Sequence, residues 1–67
     1  MMTVYERAIE RMVELAVLME HYAAKGAVTL YKRATGELDT LVRDYGTVAL
    51  REAVQRHTNG VMIQTPV

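Results

Sequence analysis

The first third of the chain alternates between apolar and polar positions with the period of an α-helix. Thr3 is followed three residues later by Glu6, the spacing of a capping box in which each side chain binds the other residue's backbone amide. Gly26 follows the last residue of the pattern, as is typical of a helix C-terminus. The apolar residues at spacings of three and four are Tyr5, Ala8, Ile9, Met12, Leu15, Ala16, Met19 and Ala23. The pattern predicts one amphipathic helix.

The middle third of the chain allows two interpretations. Its β-branched start is typical of a strand, and a β-hairpin over residues 28–42 would give an α-β-β-α fold. A helix is indicated by a second apolar stripe, made by Ala27, Leu30, Tyr31, Ala34, Leu38, Leu41, Val42 and Tyr45. A strand would place Leu38 and Leu41 on opposite faces, so the pattern favours a helix. Both one continuous helix and two helices, the second capped by Thr35 beside Gly36, agree with this stripe.

A third helix is predicted after Gly46, with Thr47 as its N-cap. Gly60 is expected to end it, at about Thr58, and residues 61–67 would form a short apolar tail. The apolar face of this helix consists of Leu50, Ala53, Val54 and His57. The sequence therefore predicts an all-α fold in one domain spanning residues 1–67. Its first two helices would form a long antiparallel hairpin, because the connection between them is short, and the third would be shorter.

The size and composition of the chain favour self-association. A domain of 67 residues buries only about 60% of the surface that its unfolded chain exposes, so a lone copy is marginally stable. Cysteine is absent, which excludes disulfides and thiolate zinc sites as a source of extra stability, and His21 and His57 are too few for a structural metal site without carboxylate ligands. A homodimer is the remaining way to complete the core.

The first helix carries more apolar surface than three small helices can cover. Apolar residues flank its main stripe on both sides, and the sequence does not decide which flank forms a dimer seam. The predicted dimer or partner interface consists of Val13, Val17, Leu18, Tyr22 and Met19. Met12 and Met19 lie on the stripe itself; adaptable thioethers can line a binding groove, but their position favours packing in the core.

Catalysis is not indicated by any motif in the chain. Serine and cysteine are absent. The four glycines are spaced as expected at the ends of helices and do not form a phosphate-binding loop. We expect a protein without catalytic, cofactor-binding or metal-binding residues. No apolar stretch is long enough to span a membrane, and the first residues lack the layout of a secretion signal, so we expect a cytoplasmic protein.

The stretch from Asp44 to Val54 resembles the start of the helix-turn-helix of small phage regulators of the Cro and CII type, in which an aromatic or apolar residue, Gly and Thr open the first helix. The resemblance covers about a sixth of the chain. It departs from the motif at Arg51, where a small residue is usual, and at Gln55, which replaces the turn glycine, so no family is assigned. The resemblance implies a dimeric DNA-binding transcriptional regulator that uses Arg43, Arg51 and Arg56.

Protein binding is the function that these features favour. The formal net charge is zero, with eight basic and eight acidic residues, whereas nucleic-acid binders often have a basic excess. The leading hypothesis is a small regulatory or adaptor protein, of the kind that phages and mobile elements encode, which binds and modulates a protein partner through helical faces. DNA binding is the alternative hypothesis.

Overall fold

A computed structural model of the protein describes the backbone of residues 2–64 and the side chains of residues 2–59. This part of the chain forms three α-helices and contains no strand: α1 (Val4–Lys25), α2 (Val28–Tyr45) and α3 (Thr47–Gln64). The predicted all-α class is confirmed, and the alternative of a β-hairpin over residues 28–42 is wrong. Within the described residues, none of the three helices is both long enough and apolar enough to cross a membrane.

The ends of α1 are set by the residues that the sequence indicates. The hydroxyl of Thr3 accepts a hydrogen bond from the backbone amide of Glu6 at 3.1 Å, which is one half of the predicted capping box. The carboxylate of Glu6 binds a side chain of α3 instead of returning to the Thr3 amide. At the other end Gly26 adopts a left-handed conformation, with φ of 71°. Its amide and that of Ala27 donate to the carbonyls of Ala23 and Tyr22, as in a Schellman motif.

Helix α2 is continuous, although it contains Gly36 and three threonines. The hydroxyl of Thr35 donates to the carbonyl of Tyr31 at 2.9 Å, and that of Thr40 donates to the carbonyl of Gly36 at 3.1 Å. Both hydroxyls are therefore satisfied within one helix, and Thr35 does not cap a second piece. A helical glycine costs only about 1 kcal/mol relative to alanine, so the apolar stripe outweighs it.

Helix α3 is longer than the sequence indicates. It spans 18 residues, the same length as α2, and passes through Gly60 to Gln64. The predicted end at Thr58 is therefore wrong, because a single glycine is too weak a signal to stop a helix that can continue beyond it. Residues 61–64 belong to α3, and the remainder of the predicted tail, residues 65–67, lies outside the described residues.

Helix α1 lies between the other two helices and contacts both, whereas α2 and α3 contact each other least. The main core is formed where α3 crosses α1: Ile9 and Met12 are buried against Ala49 and Ala53. The two alanines lack long side chains, so α3 can approach α1 closely there. The residues packed around this core are Val13, Leu38, Leu41, Val42, Tyr45 and Leu50.

Two ion pairs hold α2 and α3 against α1. On one side, the guanidinium of Arg11 makes a two-pronged contact with the carboxylate of Glu37, at 2.6 and 3.0 Å. On the other side, Arg56 donates to both carboxylate oxygens of Glu6, at 3.1 and 3.4 Å, and also lies 3.5 Å from Glu52. The hydrogen bond from Arg11 lowers the pKa of Glu37, and the bond to Glu6 raises the pKa of Arg56. Because all four side chains are more than a third exposed, these pairs add little stability to the apolar contacts between the helices.

Candidate protein-binding groove

The bundle has a closed end and an open end. At the closed end, Gly46 joins α2 to α3, and both helices cover the first half of α1, as the edge-to-face contact of Tyr5 with Tyr45 illustrates. At the open end, α2 and α3 lie on either side of the second half of α1 and leave a groove of about 280 Å³ between them. The groove is lined by Met12, Ala16, Met19, Glu20, Ala23, Tyr31, Leu38, Leu50, Ala53 and Val54.

The floor of the groove is the downstream half of the apolar stripe on α1. Met12, Ala16, Met19 and Ala23 follow one another at spacings of four, three and four, which is the spacing of the two seam positions in a coiled coil. Met12 is buried, Ala16 and Met19 are half-buried, and Ala23 is exposed. The same stripe is thus covered at the closed end and progressively uncovered toward Lys25. The alternation of methionine with alanine leaves room for a helix to approach the floor.

The rims of the groove are also apolar. Tyr31 on α2 is 38% exposed and Val54 on α3 is 53% exposed. Beyond Tyr31 the apolar surface continues into a second concavity of about 250 Å³, which reaches Val28 at the start of α2. Glu20 is the one charged residue of the lining, and its carboxylate lies 2.8 Å from the Nε2 atom of His57. The groove therefore offers a long apolar surface with one polar pair at its edge.

The five predicted interface residues lie in three different places. Met19 lies on the floor of the groove. Leu18 and Tyr22 are half-buried beside α2, where they line a shallow cleft together with Leu30, Arg33 and Ala34, among others. Val17 is exposed on the outer face of α1, and Val13 lies at the edge of that face, half-buried against the core. Both line shallow concavities that also contain Glu14, together with Glu10, Arg11 and Arg56. The structure thus separates the two flanks that the sequence leaves open, and α2 partly covers one of them.

The three arginines of the DNA-binding alternative are not equivalent. Arg56 is engaged by Glu6 and Glu52, whereas Arg43 and Arg51 are exposed on α2 and α3. Helix α3 is unbroken at Gln55, where the helix-turn-helix resemblance places the turn. The described residues therefore contain no second helix of that motif after Val54, and this part of the resemblance is wrong.

No family model matches the chain. Neither a curated protein nor a solved structure matches it. Among the described residues, no three histidine, aspartate or glutamate side chains come together as a metal site would require, and the groove lining contains one carboxylate and no other ionisable side chain except that of Tyr31.

The sequence identifies the groove residues of α1 as apolar but assigns them to the core. This is correct for Met12, which is buried, and incomplete for Met19, which is half-buried, and for Ala23, which is exposed. The contact of Glu20 with His57 was not predictable from local sequence patterns, because it joins residues that are 37 positions apart in the chain. The length of the apolar stripe on α1 could have indicated the groove. The last two turns of this stripe extend beyond the short apolar face of α3, so α3 cannot cover them.

Proposed function

We propose that this chain is a non-enzymatic protein-binding module that receives an amphipathic helix in the groove at its open end. In this proposal α1 and α2 form an antiparallel hairpin, and the protein acts as a small regulator or adaptor. The observation that carries the proposal is the incomplete coverage of Ala16, Met19 and Ala23 on the α1 stripe, which lie between two apolar rims and not on a convex surface. Concave apolar surfaces of this kind are typical of partner sites.

The dimensions of the groove suit a short helix. Its floor runs from Met12 to Ala23, which corresponds to about 16 Å along α1, or about three turns. A bound helix would present apolar residues at positions i, i+3 or i+4, and i+7, which is the usual pattern of helix-in-groove recognition. The thioethers of Met12 and Met19 adapt easily to different apolar side chains. The module would therefore select its ligand by apolar shape, with the Glu20–His57 pair contributing a polar contact at the rim.

A matched pair of variants tests this proposal. Ala23 and Ala24 are adjacent, exposed residues of α1, and Ala23 lines the groove whereas Ala24 does not. Tagged wild-type protein, Ala23→Glu and Ala24→Glu are used side by side to capture protein from a cell lysate, after circular dichroism has established that all three are folded. We expect at least one polypeptide to be retained by wild type and by Ala24→Glu, and to be lost with Ala23→Glu, because a carboxylate would be buried in the occupied groove.

Two results would contradict the proposal. If the three folded baits retain the same polypeptides in the same amounts, the groove is not a protein-binding site. If the retained material is nucleic acid, with an affinity that falls steeply with salt and depends on Arg43 and Arg51, the DNA-binding alternative replaces it. A protein–protein contact made through an apolar groove is expected to have a shallow salt dependence.

A further inference from the structure

We infer that the partner received by the groove is an acidic amphipathic helix, whose carboxylates lie over the turn that joins α1 to α2. The inference rests on the proposed function, because it specifies the chemistry of the partner of the same groove. Residues 21–36 form this turn and the helical segments on either side of it. They contain Lys25, Lys32 and Arg33 and no aspartate or glutamate, and we call them the basic tip.

The basic tip concentrates positive charge in a protein whose formal net charge is zero. With three cations and no acidic residue, the tip has a formal charge of +3, and the rest of the chain, with five basic and eight acidic residues, has a formal charge of −3. Lys25, Lys32 and Arg33 are exposed, and none of them forms a salt bridge with another of the residues that the structure describes. The resulting positive potential favours a partner with negative charge.

An apolar concavity lies within the basic tip. This is the concavity of about 250 Å³ that continues the groove, and it is lined by Tyr22, Ala23, Gly26, Ala27, Val28 and Tyr31. Ala23 and Tyr31 also line the groove, so one elongated ligand can occupy both. Lys25 is the last residue of α1, and Lys32 follows Val28 by one turn on the same face of α2. Apolar surface bordered by cations is complementary to a helix whose apolar face is flanked by carboxylates.

The first turn of α2 adds to the positive potential of the basic tip. Its N-cap residue, Ala27, makes no side-chain capping bond, and the turn contains no acidic residue. A helix N-terminus carries a partial positive charge that acidic groups stabilise. The adjacent C-terminus of α1 has the opposite sign, but the amides of Gly26 and Ala27 already bond two of its last carbonyls, those of Ala23 and Tyr22. A carboxylate of the partner would supply the acidic group that this end of α2 lacks.

Two other kinds of polyanion fit the basic tip less well than an acidic helix does. Val28 is 61% exposed and Leu30 is 42% exposed, and the phosphates of duplex DNA would offer these side chains no apolar contact. An anionic membrane could contact the cations, but its flat surface would leave the concavity unfilled. A helix fills a concave surface and also places carboxylates at its edge, so the observations favour a protein segment.

Glu20 restricts where the acidic residues of the partner lie. Its carboxylate is on the α3 side of the groove, in contact with His57, and like charges close to it would repel. The carboxylates of the partner are therefore expected at the end that covers the basic tip, toward Lys25 and Lys32. The ligand is a helix of about four turns, with apolar residues at i, i+4, i+7 and i+11 and with acidic residues at one end.

Selection from a peptide library tests the inference without a known partner. Each peptide has about 16 residues, or just over four helical turns, with leucine at i, i+4, i+7 and i+11. The other positions carry glutamate, glutamine or lysine in equal proportions, because all three residues favour helices. The library is selected on full-length wild type, on Ala23→Gln, whose side chain blocks the groove without adding charge, and on Ala24→Gln as the matched control. Circular dichroism first establishes that all three proteins are folded.

The expected result is a pool of peptides that wild type and Ala24→Gln retain and Ala23→Gln does not. Glutamate should exceed lysine in this pool, mainly at one end of the peptide. A pool that depends on Ala23 but is neutral or rich in lysine would overturn this inference and leave the proposed function standing. If no peptide is retained by wild type and lost with Ala23→Gln, the groove does not receive a helix of this kind, and both the inference and the proposed function are wrong.

Direct binding of two defined peptides gives the size of the effect. One has three glutamates at one end, and the other has glutamine at the same positions. At low salt, fluorescence anisotropy should give a dissociation constant about tenfold lower for the acidic peptide, because three exposed ion pairs together contribute about this factor. The difference should largely disappear in 1 M NaCl, where the screening length is about 3 Å. Equal dissociation constants at low salt would contradict the inference.

Single substitutions locate the contact. Lys32→Gln should raise the dissociation constant of the acidic peptide about threefold, as expected for the loss of one exposed ion pair, and leave that of the glutamine peptide unchanged. Lys25→Gln provides a second variant with the same expectation. Arg43→Gln removes an exposed arginine at the other end of α2 and should change neither value. If Arg43→Gln weakens the acidic peptide as much as Lys32→Gln does, the contact is not at the basic tip, and the inference is wrong.

Vesicles of phosphatidylcholine and phosphatidylserine and a duplex DNA oligonucleotide are measured in parallel with the same variants. We expect both to bind more weakly than the acidic peptide. Tighter binding to either one, lost with Lys32→Gln, would assign the basic tip to a lipid or nucleic-acid partner and overturn the inference.

Discussion

The closed and open ends of the bundle use the same apolar stripe of α1 in different ways. At the closed end, Ala8, Ile9 and Met12 are buried, and Ala49 and Ala53 pack against the last two, although Tyr5 at the start of the stripe remains 41% exposed. At the open end the stripe continues with the same spacing, but Ala23 is exposed and the flanking helices leave a groove. An amphipathic pattern therefore indicates which residues prefer to be covered. It does not indicate whether the same chain or another molecule covers them.

The reason for the difference lies in the connections between the helices. Gly46 joins α2 to α3 directly at the closed end, so both helices are brought against α1 there. At the open end a tight turn at Gly26 connects α1 to α2 alone, and α3 has no connection to either helix. The closed end accordingly has the features of a folding core, and the open end has those of a binding surface.

The largest expected difference between the two ends is in the free energy of unfolding after truncation of one large side chain at each end. Ile9→Ala should lower the free energy of unfolding by about 3 kcal/mol, because it removes a fully buried side chain and leaves a cavity. Met19→Ala should cost about 1 kcal/mol or less in the monomer, because this side chain is only half-buried. Urea unfolding followed by circular dichroism, at a concentration low enough to exclude association, measures both values.

Equal losses in the two variants would remove the distinction between the ends. A large loss for Met19→Ala that grows with protein concentration would instead locate its burial in an oligomer, since association contributes to apparent stability by mass action. Val17→Ala is the control for a general effect of shortening α1 side chains. It lies on the outer face with 49% of its surface exposed, and we expect only a small change.

The next largest difference in stability is expected for alanine substitutions at the glycines that end α1 and α2. Gly46 at the closed end has φ of 92° and ψ of 167°, a region that is essentially restricted to glycine, and Gly46→Ala should destabilise the protein by about 1–3 kcal/mol. Gly26 at the open end has φ of 71° and ψ of 21°, close to the left-handed helical region, where alanine costs about 1 kcal/mol. In thermal unfolding, Gly46→Ala should have a lower Tm than Gly26→Ala.

Gly36 supplies the control for these substitutions. It lies within α2 with a helical backbone, and a methyl group there would meet no atom within 4 Å. Gly36→Ala should therefore raise the free energy of unfolding by about 0.5–1 kcal/mol through its effect on the unfolded chain. A loss of stability in this variant would be inconsistent with a continuous α2, and a Gly46→Ala protein as stable as wild type would be inconsistent with the geometry of the α2–α3 turn.

The sequence predicts which segments of the chain form helices. It predicts less well where the helices end and which of their apolar residues are covered by other helices. The stripe on α1, the cap at Thr3 and the stop at Gly26 are local features, and all three are found in the structure. The end of α3 was mispredicted, because Gly60 looks like the glycines that do end helices in this chain. Gly26 and Gly46 adopt positive φ angles, whereas Gly60 lies inside α3, and sequence alone does not separate the two situations.

The candidate site could be predicted only in part, because it depends on how three helices are arranged. The sequence identifies α1 as too apolar for a small bundle, and it includes Met19 among the interface residues. It does not predict that α2 covers the flank with Leu18 and Tyr22, or that the surface is concave. Those features follow from contacts between residues far apart in the chain, such as Arg11 with Glu37, which local periodicity does not encode.

The ion pair between α1 and α2 leads to the smallest expected effect, which concerns pH. The hydrogen bond from Arg11 lowers the pKa of Glu37 in the folded protein below its value in the unfolded chain. The contribution of this pair is therefore fully present above the unfolded pKa and is lost as the pH falls through the folded pKa. Because both side chains are more than 40% exposed, solvent screens the pair, and its contribution should be only a few tenths of a kcal/mol.

Glu37→Gln tests this expectation at the boundary of the closed end. Between pH 7 and pH 3, wild type should lose slightly more unfolding free energy than Glu37→Gln, because the variant lacks the carboxylate whose protonation releases Arg11. The same difference should shrink in 1 M NaCl, where the screening length falls to about 3 Å. Carboxyl NMR titration provides the direct measurement: the carboxyl group of Glu37 should titrate at a lower pH in wild type than in Arg11→Gln, which lacks the guanidinium. If Glu37 titrates at the same pH in both proteins, Arg11 does not stabilise the ionised Glu37 carboxylate, and the contact between α1 and α2 depends on apolar packing alone.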